Sequence, residues 1–328
     1  MRHRDNVGTE PASLGGYPNA MPPSPLSSLL RRLCGAANSP AGPLVPGTRL
    51  GSLRIERLLA RGASGTLYLA LDEADGTPLA VKAVPLANTA DAQATAQSRE
   101  RFLAEAQDAI GLHHPGIVAT YSAAALDGVG YLAMELLAGT NLGRYTHPAR
   151  LMPGPVALDI AAQLAQALAY AHREGVVHRD VKPANVMFDA ATQRVKLTDF
   201  GLARGVDAQA TRSGVLLGSP AYMAPELLAG ARADARSDLY ALGVLLFELL
   251  TGRLPFEGVS MGALLRAMAT QAPQSVQALR PDLPAAQGAA LDAVLAPVQA
   301  RDPAERLGDG DAWARALRLA VPPGHSGF

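Results

Sequence analysis

The chain has 328 residues, 48% of them hydrophobic, and its 29 basic and 29 acidic side chains give a formal net charge of +0. This balance gives no reason to expect a nucleic-acid or anionic-membrane surface, and the single cysteine, Cys34, excludes an intramolecular disulfide framework and a multi-cysteine zinc site. The length allows one large domain of two lobes or two ordinary domains.

The N-terminal region, residues 1–47, has the composition of a disordered tail. It holds eight prolines and six glycines with scattered serines, so it offers too little apolar surface to offset the entropy of ordering. Within it we expect at most a short helical turn near residues 27–33.

The sequence predicts no export signal and no membrane-spanning segment. The basic residues at the start precede no apolar core, so we expect no signal peptide. The longest strongly apolar run, residues 239–250, contains Glu248 and is well short of the roughly twenty residues that a spanning helix needs. We therefore expect no membrane span and a cytoplasmic location.

From Leu50 onward, short apolar runs alternate with Gly, Asp and Pro, which predicts antiparallel strands. Three strands come first, then a helix ending at Gly111, then two strands joined by a turn at Asp127-Gly128. The approximate ranges are 53–60, 66–72 and 78–85 for the first strands and 92–111 for the helix.

After Gly139 the chain is predicted to be mostly helical. Residues 155–174 place Ile160, Leu164 and Leu168 on one helical face. A short strand at 194–198 follows, and further helices are predicted at 234–251, 259–270, 288–298 and 309–320. A small sheet-rich part with one helix precedes a larger helical part, so the predicted class is α+β with two lobes.

The predicted division of the chain follows from these patterns. It consists of a tail at 1–47, an N-terminal lobe at 48–137, a C-terminal lobe at 138–321 and a short tail at 322–328.

The first candidate for chemistry is the stretch ARGASGTLY, residues 60–68, in which Gly62 and Gly65 lie in a tight turn between two strands. Glycines at such a turn let backbone N–H groups approach a polyphosphate with no Cβ in the way. An ordinary hairpin would show the same two glycines.

The second candidate is Lys82 in LAVKAV, a lysine in an apolar strand that must find a partner or extend to water. Its place on the strand after Gly65 makes it a candidate phosphate ligand, and Glu105 on the following helix could hold it. The alternatives are an edge-strand lysine in solvent and a glutamate on a solvated helix face.

The third candidate is VVHRDVKPANVMFD, residues 176–189, an apolar stretch whose middle is densely polar. Charged groups are rarely buried unless paired, so this is either a solvated turn between two short strands or a loop that holds a base and a metal ligand. In LTDFGLAR, Asp199 follows a predicted strand. Together with the amide of Asn185 it supplies two hard oxygen ligands suited to Mg²⁺.

Three motifs, taken in order along the chain, carry a resemblance to a known family. HRDVKPAN at 178–185, DFG at 199–201 and APE at 224–226 make the chain similar to the eukaryotic-like serine/threonine protein kinases of bacteria. The resemblance extends from about Leu50 to about Ala320. It implies the two-lobed protein kinase fold, and it implies that the polar stretch is a catalytic loop flanked by short strands.

The resemblance also implies catalytic roles. Asp180 would accept the proton of the substrate hydroxyl, and Lys182 would contact the γ-phosphate and mark a serine/threonine enzyme. Asn185 and Asp199 would hold Mg²⁺. Lys82 would contact the α- and β-phosphates of ATP and pair with Glu105 in the active state.

For the adenine, the resemblance implies an apolar slot. Leu67, Ala80 and Met187 would enclose the ring, Met134 would limit the pocket behind it, and the backbone of Glu135 and Leu137 would read its edge. The sequence departs from the family at Ala60, where a glycine is usual. Alanine tolerates an extended strand end, so we expect a stiffer loop.

Other positions would be structural or regulatory. Glu226 would pair with Arg306, and Asp238 would hold the backbone of the catalytic loop. Arg179 and Arg204 would converge on a phosphorylated residue of the activation segment, for which Thr211 and Ser213 are the candidates.

The leading hypothesis is therefore an enzyme that transfers phosphate from ATP to serine and threonine hydroxyls of protein substrates in signalling. It would autophosphorylate in a transient homodimer. One alternative is a pseudokinase that binds nucleotide as a scaffold, although such proteins usually lose the equivalents of Lys82, Asp180 or Asp199. A small-molecule phosphotransferase would normally lack GSPAYMAPE, residues 218–226.

Overall fold

The computed structural model describes residues 44–62, 65–86, 92–200 and 219–320. The N-terminal lobe is an antiparallel six-stranded sheet with the strand order β1-β2-β3-β4-β6-β5. Its strands are β1 (Arg49–Leu50), β2 (Leu53–Gly62), β3 (Gly65–Asp72), β4 (Pro78–Pro85), β5 (Thr120–Leu126) and β6 (Val129–Glu135). The predicted strands are confirmed, and β2 runs two residues further than expected.

The turn between β5 and β6 lies at the predicted dipeptide. Asp127 and Gly128 have φ values of 49° and 75°. Positive φ at both central residues is the two-residue hairpin turn whose twist matches the flanking strands, and Gly adopts it without a Cβ clash. This turn sets the register of β6, the strand that ends at Glu135.

Two apolar clusters cover the two faces of this sheet. The predicted helix is confirmed as α1 (Ala92–Gly111), and its Phe102 and Ala106 pack with Leu132 and Met134 on one face. On the other face the buried side chains are those of Leu50, Leu53, Ile55, Tyr68, Ala70, Leu79, Val81, Tyr131 and Ala133, together with Leu44. Period-two alternation along the strands separates the two sets.

The first described residues lie against this second face. Leu44 is buried, and its backbone N–H donates to the hydroxyl oxygen of Tyr68 at 3.2 Å. The N–H of Gly47 donates to the carbonyl of Ile55 at 2.8 Å. The predicted boundary after residue 47 stays a prediction, but residues 44–47 contact the lobe that follows.

The C-terminal lobe is mostly helical, as predicted. Its helices are α2 (Gly154–Arg173), α3 (Pro225–Leu228), α4 (Ala235–Thr251), α5 (Met261–Thr270), α6 (Val276–Leu279), α7 (Ala285–Gln299) and α8 (Gly310–Leu319). This lobe also contains a three-stranded sheet, made of β7 (Thr140–Asn141), β8 (Val186–Asp189) and β9 (Arg194–Leu197). Its strand order is β7-β8-β9. Short 3-10 turns lie at Leu142–Tyr145, Pro148–Arg150, Pro183–Asn185, Ser219–Tyr222 and Pro303–Glu305.

Helix α4 forms the centre of this lobe. Helix α4 is buried along nearly its whole length and packs with α2, α7 and α8 in one apolar core. Asp234 and Ser237 form a capping box at its start, and Gly252 ends it in the left-handed conformation, with φ of 69°. These end signals position Asp238 in the first turn of α4.

Some expectations differ from the structure. The predicted strand at Val176 and Val177 is absent, and only the second flank of the polar stretch, β8, is a strand. Helix α6 and strand β7 were not predicted, because elements of four and two residues are too short to show a period. Helix α7 begins three residues earlier than expected, directly after Pro284.

Some predictions fall outside the described residues. These are the helical turn at 27–33, Arg204, Thr211, Ser213 and the tail from 322. Along the described stretches, no helix has both the length and the apolar character needed to cross a membrane.

Candidate active site

The polar loop between α2 and β8 brings its charged side chains together around Asp180. The Nζ atom of Lys182 lies 2.6 Å from Oδ2 of Asp180. The amide nitrogen of Asn185 donates to the same Oδ2 and to the carbonyl oxygen of Asp180, each at 2.8 Å. The sequence prediction that these three side chains belong to one site agrees with this geometry.

A carboxylate from α4 holds the loop backbone. Asp238 is 1% exposed, and its two oxygens accept the backbone N–H groups of His178 and Arg179, each at 2.8 Å. Arg179 has a φ of 71°, a left-handed conformation that a non-glycine residue adopts only when its surroundings stabilise it. The predicted role of Asp238 is confirmed, and the paired N–H groups explain how the loop keeps this conformation.

His178 connects the loop to the segment that carries Asp199. Its ring is fully buried, with Nδ1 accepting the N–H of Asp180 at 3.2 Å and Nε2 lying 2.8 Å from the carbonyl of Thr198. Since a carbonyl only accepts, Nε2 is the nitrogen that carries the hydrogen. The ring also packs edge-on against Phe200, with centroids 4.5 Å apart.

Asp199 reaches across to the first lobe. Its Oδ2 lies 2.7 Å from Nζ of Lys82, whose side chain is 7% exposed. Asp199 has a φ of 67°, so the backbone is strained where the carboxylate is presented. The lysine that the sequence singled out is therefore buried and ion-paired with a residue of the other lobe.

Glu105 lies on α1 in a half-buried position. It shares a helical face with Phe102 and Ala109, which are buried against the sheet, so it is on the side of the helix that faces the lobe interior. The predicted pairing of Lys82 with Glu105 stays a prediction.

Several of the side chains predicted to enclose the adenine belong to one apolar cluster of the first lobe. Ala80, Leu132 and Met134 are buried in the cluster that Leu67 and Leu137 join from its edge. Met187 is half-buried on β8. A small cavity is lined by residues of both lobes: Ala109, Ile117, Val118, Thr120, Leu132, Met134, Asp199 and Phe200. The role of Met134 in limiting the adenine pocket stays a prediction.

The turn between β2 and β3 requires a glycine for steric reasons, while its predicted contact with phosphates stays a prediction. Gly65 has a φ of 138°, and a Cβ there would lie 2.4 Å from the carbonyl oxygen of Ala83 on β4. Only glycine allows that approach. Ala60 in β2 pairs with Leu67 in β3. The φ of Ala60 is not positive, so alanine fits the strand. Gly62 is the last residue of β2.

The segment that begins at residue 219 is anchored by a buried ion pair. Both guanidinium NH groups of Arg306 contact the carboxylate of Glu226, at 2.6 and 2.8 Å, which confirms the predicted pair. The Arg306 side chain has 0% exposure and stacks over the ring of Tyr240, 4.7 Å from the ring centroid. The end of the APE motif is thereby attached to the last helices.

A second contact anchors the same segment to α4. The hydroxyl of Tyr222 donates to Oε2 of Glu248 at 2.5 Å. Burial raises the pKa of the Glu248 carboxyl, and the hydrogen bond from Tyr222 only partly offsets this. Burial, together with the neighbouring Glu248, raises the pKa of the Tyr222 hydroxyl as well.

Two polar contacts at the site were not found from the sequence. Nε2 of His172 lies 2.8 Å from Oδ2 of Asp238, so a third group holds that carboxylate. Nζ of Lys196 donates to Oε1 of Glu135 and joins β9 to the end of β6. The signal for Lys196 was present, because RVKL places a lysine in an apolar strand as LAVKAV does for Lys82.

The donor set suits a divalent cation. Both hydrogens of the Asn185 amide point to Asp180, so Oδ1 is the atom left to face a cation, and Asp199 supplies carboxylate oxygen. Carboxylate and amide oxygens are the ligands of hard ions such as Mg²⁺. Two lysines lie beside the same carboxylates, so the site combines metal ligands with cations that can neutralise phosphate oxygens.

Comparison with known proteins agrees with this geometry. Residues 53–315 match the protein kinase domain family. The chain is 39% identical over 287 residues to serine/threonine-protein kinase PknJ of Mycobacterium tuberculosis, an alignment that covers 85% of this chain and 47% of PknJ. It is 37% identical over 284 residues to serine/threonine-protein kinase Pkn1 of Myxococcus xanthus, covering 85% of this chain and 39% of Pkn1.

Solved structures give the same fold. The crystal structure of Rad53 residues 1–466 in complex with AMP-PNP superposes with a TM-score of 0.66 at 22% identity, covering 82% of this chain and 66% of that one. At this identity the likeness concerns the fold alone. The chain spans less than half the length of PknJ and Pkn1.

Proposed function

This chain belongs to the protein kinase family, and from that premise we propose that it transfers the γ-phosphate of ATP to serine and threonine hydroxyls of protein substrates. The observation that carries the proposal is the convergence of both lobes on one site. Lys82 of the first lobe contacts Asp199 of the second, within the loop system that also holds Asp180, Lys182 and Asn185.

Phosphoryl transfer requires positioning and charge neutralisation more than a strong nucleophile. Asp180 is proposed to accept the proton of a substrate hydroxyl. In support, its carboxylate is held by Lys182 and Asn185 on a loop that α4 fixes. Lys82 and Lys182 supply positive charge for phosphate oxygens. Glu105 is proposed to hold Lys82 when the site is active.

We infer that Asn185 and Asp199 would hold Mg²⁺, which when bound neutralises charge on the phosphates. The adenine ring is proposed to lie between Leu67 and Ala80 on one side and Met187 on the other. The backbone of Glu135 and Leu137 would then read its edge, and the backbone of Ala60, Gly62 and Gly65 would contact the phosphates.

Two features support protein substrates. Lys182 follows Asp180 by two residues, as in serine/threonine enzymes of the family, and residues 219–228 are anchored to the helical lobe through Glu226 and Tyr222. We propose autophosphorylation at Thr211 or Ser213 in a transient homodimer. A cytoplasmic location is proposed as well, consistent with a single cysteine in 328 residues.

A pseudokinase scaffold would bind nucleotide without transfer. The chain retains Lys82, Asp180 and Asp199, which lie in contacts suited to catalysis, so no observation favours that alternative.

The test is Asp180→Asn, compared with Asp159→Asn, an exposed carboxylate of α2 that hydrogen-bonds Gln163. Phosphate transfer from ATP to a generic protein acceptor should fall by at least ~10²-fold in Asp180→Asn, because the proton acceptor is lost. Asp159→Asn should remain active. Near-normal turnover by purified, folded Asp180→Asn protein would exclude Asp180 as the base.

A further inference from the structure

A second ion pair joins the two lobes at the end of β6. Glu135, the last residue of that strand, accepts from the ammonium of Lys196 on β9. The side chains are 23% and 29% exposed, so water screens this pair less than it screens a pair on the surface. In contrast to Lys82 and Asp199, neither of these two side chains would face the phosphates in the proposed function.

The pair closes a ring of contacts through three segments. The N–H of Glu135 donates to the carbonyl of Ala119 at 2.9 Å, and Oε1 of Glu135 accepts the N–H of Ala119 at 2.7 Å. Val118, the preceding residue, donates its N–H to the carbonyl of Leu197 at 3.0 Å. Leu197 directly follows Lys196, so β6, the loop at 116–119 and β9 hold one another.

The same pair connects the two sides of the proposed adenine slot. Lys196 is the register partner of Met187 across β8 and β9, so the two side chains leave the same face of that sheet. Met187 is the proposed floor of the slot, and Glu135 carries the backbone proposed to read the adenine edge. One ion pair therefore links the end of β6, proposed to contact the adenine edge, to β9, the strand that pairs with the β8 strand of Met187.

We propose that Glu135 and Lys196 are positioning residues that set the spacing of the adenine slot and thereby the affinity for nucleotide, an inference that rests on the proposed function. Without the ammonium, the mostly buried Glu135 carboxylate loses the cation that compensates its desolvation. It then gains by turning toward water, which weakens its bond to Ala119 and loosens the end of β6. The transfer step depends on Asp180 and should change little.

The test uses Lys196→Met, which keeps the apolar stem and removes the charge, and Lys196→Arg, which keeps the charge. The dissociation constant of ADP with Mg²⁺ is measured by calorimetry, and KM for ATP and kcat are measured in parallel. Lys196→Met should raise the dissociation constant and KM about 3- to 10-fold, the range expected for a coupled charged pair, and change kcat less than about 2-fold. Lys196→Arg should stay within about 2-fold of wild type throughout.

The matched control is Arg49→Met, which removes the ion pair between Arg49 on strand β1 and Glu73. This variant should leave all three constants unchanged. Glu135→Gln should raise the ADP dissociation constant as Lys196→Met does, and the double variant should be no worse than either single one.

The inference is overturned if Lys196→Met binds ADP within about 1.5-fold of wild type, or if Lys196→Arg binds as weakly as Lys196→Met. Wild-type protein that binds ADP but transfers no phosphate would refute the proposed function, and the dissociation constants would still decide on this pair. Wild-type protein that binds no ADP would overturn both.

Discussion

The two lobes use charged side chains in different ways. In the C-terminal lobe, Asp238 and Arg306 are almost fully buried, and each fixes a chain segment far away in sequence. In the N-terminal lobe the ion pair of Arg49 with Glu73 lies at the surface, with the arginine 68% exposed. Buried charges depend on their partners, whereas exposed ones are hydrated when a partner is lost.

This difference indicates a division of labour. The catalytic loop is held in place by desolvated polar contacts within one lobe. The other lobe contributes most of the proposed adenine slot, and we expect its position relative to that loop to depend on the cross-lobe pairs Lys82–Asp199 and Glu135–Lys196. We therefore expect mutations of the buried C-lobe charges, such as Asp238 and Arg306, to destabilise or inactivate the protein, and mutations of exposed charges to have little effect.

The largest effect on stability is expected at Arg306. Arg306→Met leaves the Glu226 carboxylate without its bidentate partner and should lower the free energy of unfolding by about 3–5 kcal/mol. Arg49→Met at the exposed pair should lower it by less than about 1 kcal/mol. Denaturant titration of both variants measures the difference, and equal losses would contradict the contrast between the lobes.

The next largest effect is expected at Asp238. Asp238→Asn can accept only one of the two N–H groups of His178 and Arg179 well, because its second atom is a donor. An unsatisfied buried donor should lower stability by about 1–3 kcal/mol. Because the loop carries Asp180, kcat should fall while ADP affinity is kept. A variant with unchanged kcat would show that the loop conformation does not depend on this carboxylate.

A smaller effect is expected at the N-terminus. A chain that starts at Val45 should fold and autophosphorylate, but it loses the buried side chain of Leu44. Compared with a chain that starts at Leu44, its stability should fall by up to about 2 kcal/mol, since full burial of a leucine contributes roughly 1.5–3 kcal/mol. Thermal unfolding of the two chains measures this. An inactive chain from Val45 would show that residues 1–44 contribute more than the burial of Leu44.

The smallest effect is a pH dependence at Glu248. Burial raises the pKa of this carboxyl in the folded protein above its unfolded value, so the folded state binds more protons between the two values. The stability contributed by Glu248 is therefore full below the unfolded pKa and is lost as pH rises through the folded pKa. Glu248→Gln lacks this loss, so its unfolding temperature should improve relative to wild type as pH rises from the unfolded pKa of the carboxyl through its raised folded pKa. A difference independent of pH would contradict the raised pKa.

Much of the site could be predicted from the sequence because its chemistry is carried by local motifs. Asp180, Lys182 and Asn185 lie within six residues, so one loop necessarily brings them close. Lys82 was singled out because a lysine in an apolar strand needs a partner. The sequence did not show that Lys82 forms an ion pair with Asp199, which lies more than a hundred residues away.

Strand positions, the hairpin turn at Asp127 and the long helices follow from periods of two and 3.6 residues and from turn chemistry, which are properties of neighbouring residues. Only the tertiary structure decided that His172 and Asp238 share a hydrogen bond, that Leu44 is buried and that Lys196 reaches Glu135. The physical reason is that these contacts join elements distant in the chain. Their geometry is set by how α2, α4, β6 and β9 pack, and no local pattern records that packing.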